Sequence, residues 1–204
     1  SETDTYENLD IVTRPVANYT LGDGSGQRVS TLGSELAIPL TTPIVLESFG
    51  RYATSSGDQL GRGPLPPRVG FQTKYWVFWN VSGTTNDLEN IRIEGELAEG
   101  VTFTGRQTVS QDSGTVYDAD SNSMIWQSEF VGSTLDPQSK VVAMAFELAL
   151  TPTEDMAGSI AVLLQNIRLT AIDARTGAII TASGSDVTTE LPGDLMAGGK
   201  AEIQ

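Results

Sequence analysis

Apolar and polar positions alternate with a period of two along several stretches of the chain, and no stretch of helical length keeps an apolar period of 3.6. In residues 90–97, Ile91, Ile93 and Leu97 share one side of an extended strand, whereas mostly charged side chains occupy the other. Such alternation is typical of an antiparallel strand with one side in water. The pattern therefore predicts an all-β protein.

Turn residues separate further stretches of this kind. Residues 57–70 contain four glycines and three prolines, so we expect an ordered surface loop there. Residues 173–177 are expected to form a hairpin connection. The predicted strands are 44–49, 74–81, 90–97, 101–104, 123–129, 140–150, 159–172 and 178–182.

The strand at 74–81 carries bulky apolar groups on both of its sides. Tyr75, Val77 and Trp79 point to one side, and Trp76 and Phe78 point to the other. A sandwich core can cover one side, so the second side predicts a further layer or a partner. The sequence leaves open which side is the core. We take Tyr75, Val77 and Trp79 as part of a candidate assembly or binding face.

The strand at 140–150 separates its side chains by size. One side carries large apolar residues, among them Phe146. The other side carries Ala143, Ala145 and Ala149, with Glu147 as its single charge. We expect the large side to be core and the small side to allow close approach of a second layer or a neighbouring chain.

The first 41 residues hold short apolar pieces that are too few to close a core alone. We predict an N-terminal β segment over residues 1–41 that completes the sandwich, belongs to a preceding module or donates a strand to a neighbour. Residues 42–190 are predicted to form the sandwich, and 191–204 a C-terminal tail or linker. The candidate assembly residues in the N-terminal segment are Ile11, Val12, Tyr19, Leu36 and Ile38.

Composition excludes several classes of function. The 204 residues carry a formal charge of −14, which repels nucleic acid and anionic lipid. There is no cysteine and no histidine, so thiol or imidazole nucleophiles and imidazole metal sites are excluded. The longest aliphatic run, residues 160–164, is far shorter than the roughly 20 residues of a membrane helix. We therefore expect a non-catalytic protein without a cofactor, a nucleic-acid partner or direct membrane insertion.

One short segment resembles the start of a calcium loop. Asp118, Asp120 and Asn122 stand at alternate positions, as the oxygen ligands of such loops do. The sixth place lacks the usual glycine, because it is Ser123. A hairpin turn rich in Asp and Asn explains the segment as well. Calcium is the only metal that the sequence suggests.

Three other features have simple structural explanations. Glu94 and Glu96 form a carboxylate pair on one side of a strand, which glycoside hydrolysis would need but which a solvated strand also shows. Lys74 and the unusual Glu147 suggest an internal amide between Lys74 and an Asn or Asp, and a loss of mass would reveal it. Asn18 begins one of two glycosylation sequons.

The order of these motifs resembles a known family. It runs from Lys74-Tyr-Trp-Val-Phe-Trp-Asn80-Val, through the strand that ends in Leu97-Ala-Glu-Gly-Val-Thr-Phe103 and through Met124-Ile-Trp126, to Thr134-Leu-Asp-Pro137. This series is similar to the conserved-repeat immunoglobulin-like domains of bacterial and archaeal surface proteins, the domain-of-unknown-function-eleven type. The resemblance covers about residues 42–190.

The resemblance implies an immunoglobulin-like antiparallel β-sandwich with a structural role outside the cell. Such a module is expected at the cell surface, in a filament, surface layer or adhesin, where its partners are copies of itself or neighbouring surface modules. The alternative is an adhesin or carbohydrate-binding module that binds a glycan through Tyr75 and Trp79, with calcium at the Asp118 segment.

Overall fold

A computed structural model describes residues 7–111, 113–134, 136 and 138–204. These residues form fourteen strands and one short 3₁₀ turn, Glu154–Met156. The predicted all-β immunoglobulin-like sandwich with an additional N-terminal β segment is confirmed. Leu135 and Pro137 of the family-like motif, and residues 1–6 of the N-terminal segment, lie outside the described residues.

The sandwich consists of two antiparallel sheets. The first, which we call the four-stranded sheet, has the order β5-β6-β11-β8. Its strands are β5 (Val45–Arg51), β6 (Thr73–Ser82), β8 (Val101–Val109) and β11 (Val142–Leu150). The second, the six-stranded sheet, has the order β13-β12-β7-β10-β9, and β14 also pairs with β12. Its strands are β7 (Leu88–Leu97), β9 (Val116–Asp118), β10 (Ser123–Val131), β12 (Val162–Asp173), β13 (Ile179–Ser183) and β14 (Val187–Thr188).

The core lies between the sheets and follows the predicted alternation. Trp79 of β6 meets Phe146 of β11 edge to face at a centroid distance of 4.9 Å. Trp126 of the six-stranded sheet is also fully buried. Gly95 on β7 faces this cluster, because a Cβ there would lie 3.1 Å from the Trp79 indole. The absence of a side chain at Gly95 therefore makes room for Trp79.

The N-terminal segment folds into one long β-ribbon. The part at the two ends of the segment, which we call the outer part, pairs β1 (Asp10–Thr13) with β4 (Leu36–Pro39). The part next to the turn at residues 21–27, which we call the inner part, pairs β2 (Val16–Thr20) with β3 (Arg28–Leu32). A hydrogen bond from Gly33 N–H to Pro15 O joins the two parts. Among the described strands, those of the ribbon pair only with each other.

The opposite end of the sandwich is closed by loop 52–72 and residues 189–204. The main chain of Gln204 pairs with the loop at Pro67 and Val69, and Ile203 exchanges hydrogen bonds with the turn after the 3₁₀ segment. Leu191, Ala197 and Ile203 are buried. The C-terminal residues thus pack against the sandwich.

Candidate functional site

The sandwich covers one side of β6 completely. Tyr75, Val77 and Trp79 are all buried in the core at 0% exposure. Their assignment to an assembly or binding face is therefore wrong, because they pack against the second sheet and cannot reach a partner. A sugar cannot stack on Tyr75 or Trp79 either, so the carbohydrate alternative loses the two residues on which it depended.

The other side of β6 forms the outer face of the four-stranded sheet. Phe78 stacks on Phe49 of β5 at a centroid distance of 5.2 Å, and Arg51 lies 4.5 Å above the Phe49 ring. Arg106 of β8 lies 5.4 Å from the Trp76 ring. These aromatic rings are half-buried, because guanidinium groups and neighbouring rings cover part of their surface. The outer face is therefore apolar at its centre, with arginines over its rings.

Glu147 lies on the outer face yet has no exposed surface. Its carboxylate accepts hydrogen bonds from Arg106 at 2.9 Å and from Thr104 at 2.8 Å, and Lys74 Nζ lies 4.0 Å away. Gly105, at φ +84°, permits a bulge that turns both Thr104 and Arg106 toward Glu147. Hydrogen bonds and two cations balance the loss of hydration of this buried charge. Lys74 is thus part of an ion cluster with Glu147 and Arg106, and the internal amide between Lys74 and an Asn or Asp stays a prediction.

A shallow trough lies beside Phe78 on the same outer face. Its floor is formed by Ala143 and Ala145, and its far wall by Thr108, Val109 and Ser110. The volume is about 260 Å³, and the lining is mostly apolar. Two of the small residues that the sequence placed on one side of strand 140–150, Ala143 and Ala145, thus form the trough floor.

The ribbon exposes apolar side chains on both of its sides. In the outer part, Ile11 pairs with Ile38, and Val12 pairs with Ala37 on the other side. In the inner part, Tyr19 pairs with Val29. The exposed large apolar residues of the ribbon and its ends are Leu9, Ile11, Val12, Val16, Tyr19, Leu32, Leu36, Ile38 and Leu40. All five N-terminal residues that the sequence singled out are therefore at the surface.

A buried carboxylate holds the base of the ribbon. Asp173, at the end of β12, accepts hydrogen bonds from Thr42 N–H and Asn86 Nδ2, both at 2.8 Å, and from the N–H groups of Arg175 and Thr176. Burial acts to raise the pKa of Asp173, but these hydrogen bonds outweigh it and hold the pKa below the usual 3.8.

Further contacts fix the ribbon base to the same end of the sandwich. Both carboxylate oxygens of Asp10 accept hydrogen bonds from Arg175 at 2.6 Å. Asn8 N–H donates to Thr85 O, and Asn86 Nδ2 donates to Leu40 O. These polar contacts anchor the base of the ribbon to the sandwich.

A second buried carboxylate holds the closed end. Asp194 accepts four main-chain hydrogen bonds, from Tyr52, Ala53, Met196 and Ala197. Burial acts to raise the pKa of Asp194, but these donors lower it below 3.8. Each end of the sandwich thus depends on one ionised aspartate. The sequence reasoning missed both residues, and the only available signal was an isolated Asp next to turn residues.

The possible calcium segment is a turn held by its own hydrogen bonds. Asp118 accepts from Asp120 N–H and from the Ser121 hydroxyl, and the Ser121 bond lowers the pKa of Asp118 most. Asn122 accepts from Tyr117 and donates to Leu97 O. The side chains of Asp118 and Asn122 thus stabilise the turn, and Asp120 contributes its main-chain N–H. Within the described residues, no group of three acidic side chains is placed to hold a metal ion.

The carboxylate pair on β7 is engaged on a solvated face. Glu94 forms an ion pair with Arg92 at 2.8 Å, and Glu96 accepts a hydrogen bond from Asn166 at 2.9 Å. Both occupy polar depressions on the outer face of the six-stranded sheet. These contacts fit a surface strand, and neither carboxylate is enclosed as a general acid would be.

Comparisons with known proteins give a structural likeness. No family model matches the chain, and no curated protein matches it. Three similar solved structures are major pilins: BcpA of Bacillus cereus (8% identity, TM-score 0.42), full-length SpaD of Corynebacterium diphtheriae (10%, 0.43) and a 35 kDa C-terminal fragment of GBS80 of Streptococcus agalactiae (9%, 0.46). The aligned part covers 85%, 88% and 71% of this chain, and 47%, 61% and 56% of those chains. The chain therefore spans about half of the structures that it matches.

No helix in the described part of the chain is long and apolar enough to span a membrane.

Proposed function

We propose that this chain is a non-catalytic structural module of an extracellular surface or filament protein, and that its N-terminal ribbon joins it to another copy. The observation that carries the proposal is the exposure of the ribbon. Among the residues that the structure describes, nine of the 17 exposed large apolar side chains fall within residues 9–40. Soluble proteins rarely leave such contiguous apolar surface uncovered unless a partner covers it.

The energetics support a protein partner for the ribbon. Tyr19 is 51% exposed and Leu36 is 55% exposed. Burying the exposed half of such a side chain contributes roughly 1 kcal/mol, so a stable contact needs many of these side chains together. An isolated two-stranded ribbon is itself only marginally stable in water. Association would therefore stabilise the ribbon as well as join the copies.

The location outside the cell rests on the family-like motif series, and composition supports a structural role. A sandwich without cysteine, rich in acidic residues, keeps its fold without disulfides or metals. The buried carboxylates Asp173 and Asp194 are used for main-chain hydrogen bonds, and Glu147 is neutralised by Arg106. These groups support the fold, and the proposal assigns them no catalytic role.

The test replaces apolar ribbon residues with serine. Tyr19→Ser combined with Leu36→Ser should abolish self-association, because the two substitutions remove apolar surface from the ribbon. Light scattering after size exclusion measures the association. The matched control is Ile179→Ser combined with Phe130→Ser, since Ile179 is 74% exposed and Phe130 is 55% exposed on the sandwich. Equal loss in both double variants, or no association of the unmodified chain, would overturn the proposal.

A further inference from the structure

The trough beside Phe78 is of a size to hold a large amino-acid side chain. Its volume of about 260 Å³ lies below the range of roughly 300–1,000 Å³ that small-molecule pockets occupy. Ala143 and Ala145 leave the space, and Phe78 supplies an apolar wall. One large side chain with its neighbours would fill it. The depressions beside Glu94 and Glu96, by contrast, are mostly polar.

The charge of the sheet that carries the trough is compatible with a second copy of this chain as the occupant. The whole chain carries −14, whereas the outer face of the four-stranded sheet holds three cations, Arg51, Lys74 and Arg106, and two carboxylates, Glu47 and Glu147, which is a net charge of +1. Residues 9–40 carry three carboxylates and two arginines, which is a net charge of −1. The ribbon of another copy thus meets a weakly cationic face, and no strong like-charge repulsion opposes the contact.

The length of the ribbon also favours contact between copies. From Asp10 to Thr20 a strand rises roughly 33 Å, at about 3.3 Å per residue. This reach is several times the Debye length of about 8 Å at physiological ionic strength. A contact made by the inner part of the ribbon would therefore keep two acidic sandwiches apart, so that their mutual repulsion is screened.

The inner part of the ribbon offers a suitable group. Tyr19 is exposed, and its partner Val29 lies beside it on the same side. Ala17 and Thr31 share that side and are small. Tyrosine is common among the residues that dominate binding interfaces, and its ring would contact the Phe78 ring at the trough.

We propose that the trough beside Phe78 receives the Tyr19 side of the ribbon from a second copy of this chain. The inference rests on the proposed function and adds the acceptor to it. Because donor and acceptor are different surfaces, the contact is heterologous, and repetition of it builds an open chain of copies unless the geometry closes a ring.

Cysteine cross-linking tests the contact directly, because the chain has no cysteine of its own. Ala17→Cys lies on the Tyr19 side of the ribbon, and Ser110→Cys lies on the trough rim. The two single variants, one enlarged by a tag, are mixed and oxidised. We expect a mixed dimer at least tenfold more abundant than with the control Thr181→Cys, which lies exposed on the six-stranded sheet.

The outcomes separate this inference from the proposed function. If Ala17→Cys cross-links mainly to itself or to Thr181→Cys, the ribbon still joins copies but the trough is not its acceptor. If Ala17→Cys forms no cross-link and the unmodified chain does not associate, both proposals fail.

A charge placed in the trough provides a second test. Ala143→Glu should weaken association of the otherwise unmodified chain at least tenfold, because it puts a carboxylate on the half-exposed trough floor. Thr181→Glu is the control and should have little effect. Equal weakening by both substitutions would overturn the inference, since it would show a general effect of charge.

Discussion

Strand β6 and the N-terminal ribbon both carry apolar side chains on two sides, but their surroundings differ. On β6, the second sheet buries Tyr75 and Trp79, while arginines and stacked rings partly cover Trp76 and Phe78. On the ribbon, both sides remain exposed along its length. The apolar side chains of β6 are thus covered within one copy, whereas those of the ribbon are exposed. The exposure of the ribbon indicates a partner.

The two sides of β6 should differ most in their effect on stability. Trp79→Ala should lower the free energy of unfolding by about 3–5 kcal/mol, because it removes a fully buried indole from the core. Trp76→Ala should lower it by only about 1 kcal/mol, because Trp76 is half-exposed. Urea unfolding of both variants measures the difference. Equal losses would show that the assignment of core and outer sides is incorrect.

Substitution of Asp173 or Asp194, the buried carboxylates at the two ends of the sandwich, should have similar effects on stability but different effects on the ribbon. Asp173→Asn and Asp194→Asn should each lower the free energy of unfolding by about 2–3 kcal/mol, because main-chain donors lose a charged acceptor. Only Asp173→Asn should speed amide hydrogen exchange in residues 9–40, since Asp173 binds Thr42 at the ribbon base. Faster ribbon exchange in Asp194→Asn as well would contradict this division.

The same carboxylates predict a dependence of stability on pH. Their pKa values are lower in the folded chain than the usual 3.8, so their stabilising effect is complete above about pH 4 and declines as the pH falls further. Thermal melts between pH 2 and 6 should therefore show a steeper decline for the unmodified chain than for the double variant Asp173→Asn/Asp194→Asn. Parallel declines would indicate that other groups control acid unfolding.

Substitutions in the ribbon should have the smallest effect on the free energy of unfolding. Val16→Ser and Tyr19→Ser should each change the free energy of unfolding of a dilute sample by less than about 0.5 kcal/mol, because both side chains are more than half exposed and lie outside the sandwich core. Association at high concentration should nevertheless weaken about tenfold for Tyr19→Ser, which corresponds to roughly 1.4 kcal/mol. A large loss of stability in dilute Tyr19→Ser would instead place its side chain in an internal contact.

The sequence alone predicted the eight longer sandwich strands, because regular alternation and Gly- or Pro-rich turns mark each of them. It missed β9 and β14, which have three and two residues and are too short to show a period. It found exposed apolar residues such as Ile11 and Tyr19, but not their arrangement in a single ribbon, since pairing across the Gly-rich turn depends on contacts that a local pattern does not encode.

The core side of β6 could not be predicted for a related reason. Tyr75 and Trp79 differ little in hydrophobicity from Trp76 and Phe78, so periodicity gives no preference between the sides. What decides is the neighbouring strand: β11 places Phe146 and Leu148 on the core side and Ala145 on the outer side. The pairing of β6 with β11 therefore determines the core side of β6, which the sequence of β6 alone does not.

The central claim is that another copy covers the ribbon. Amide hydrogen exchange of residues 9–40, compared between dilute and concentrated samples of the unmodified chain, tests it most directly. An uncovered two-stranded ribbon exchanges quickly, whereas a covered one is protected. We predict that exchange in the ribbon slows with concentration while exchange in β6 stays unchanged. Equally fast ribbon exchange at all concentrations, with no assembly detected, would contradict the claim.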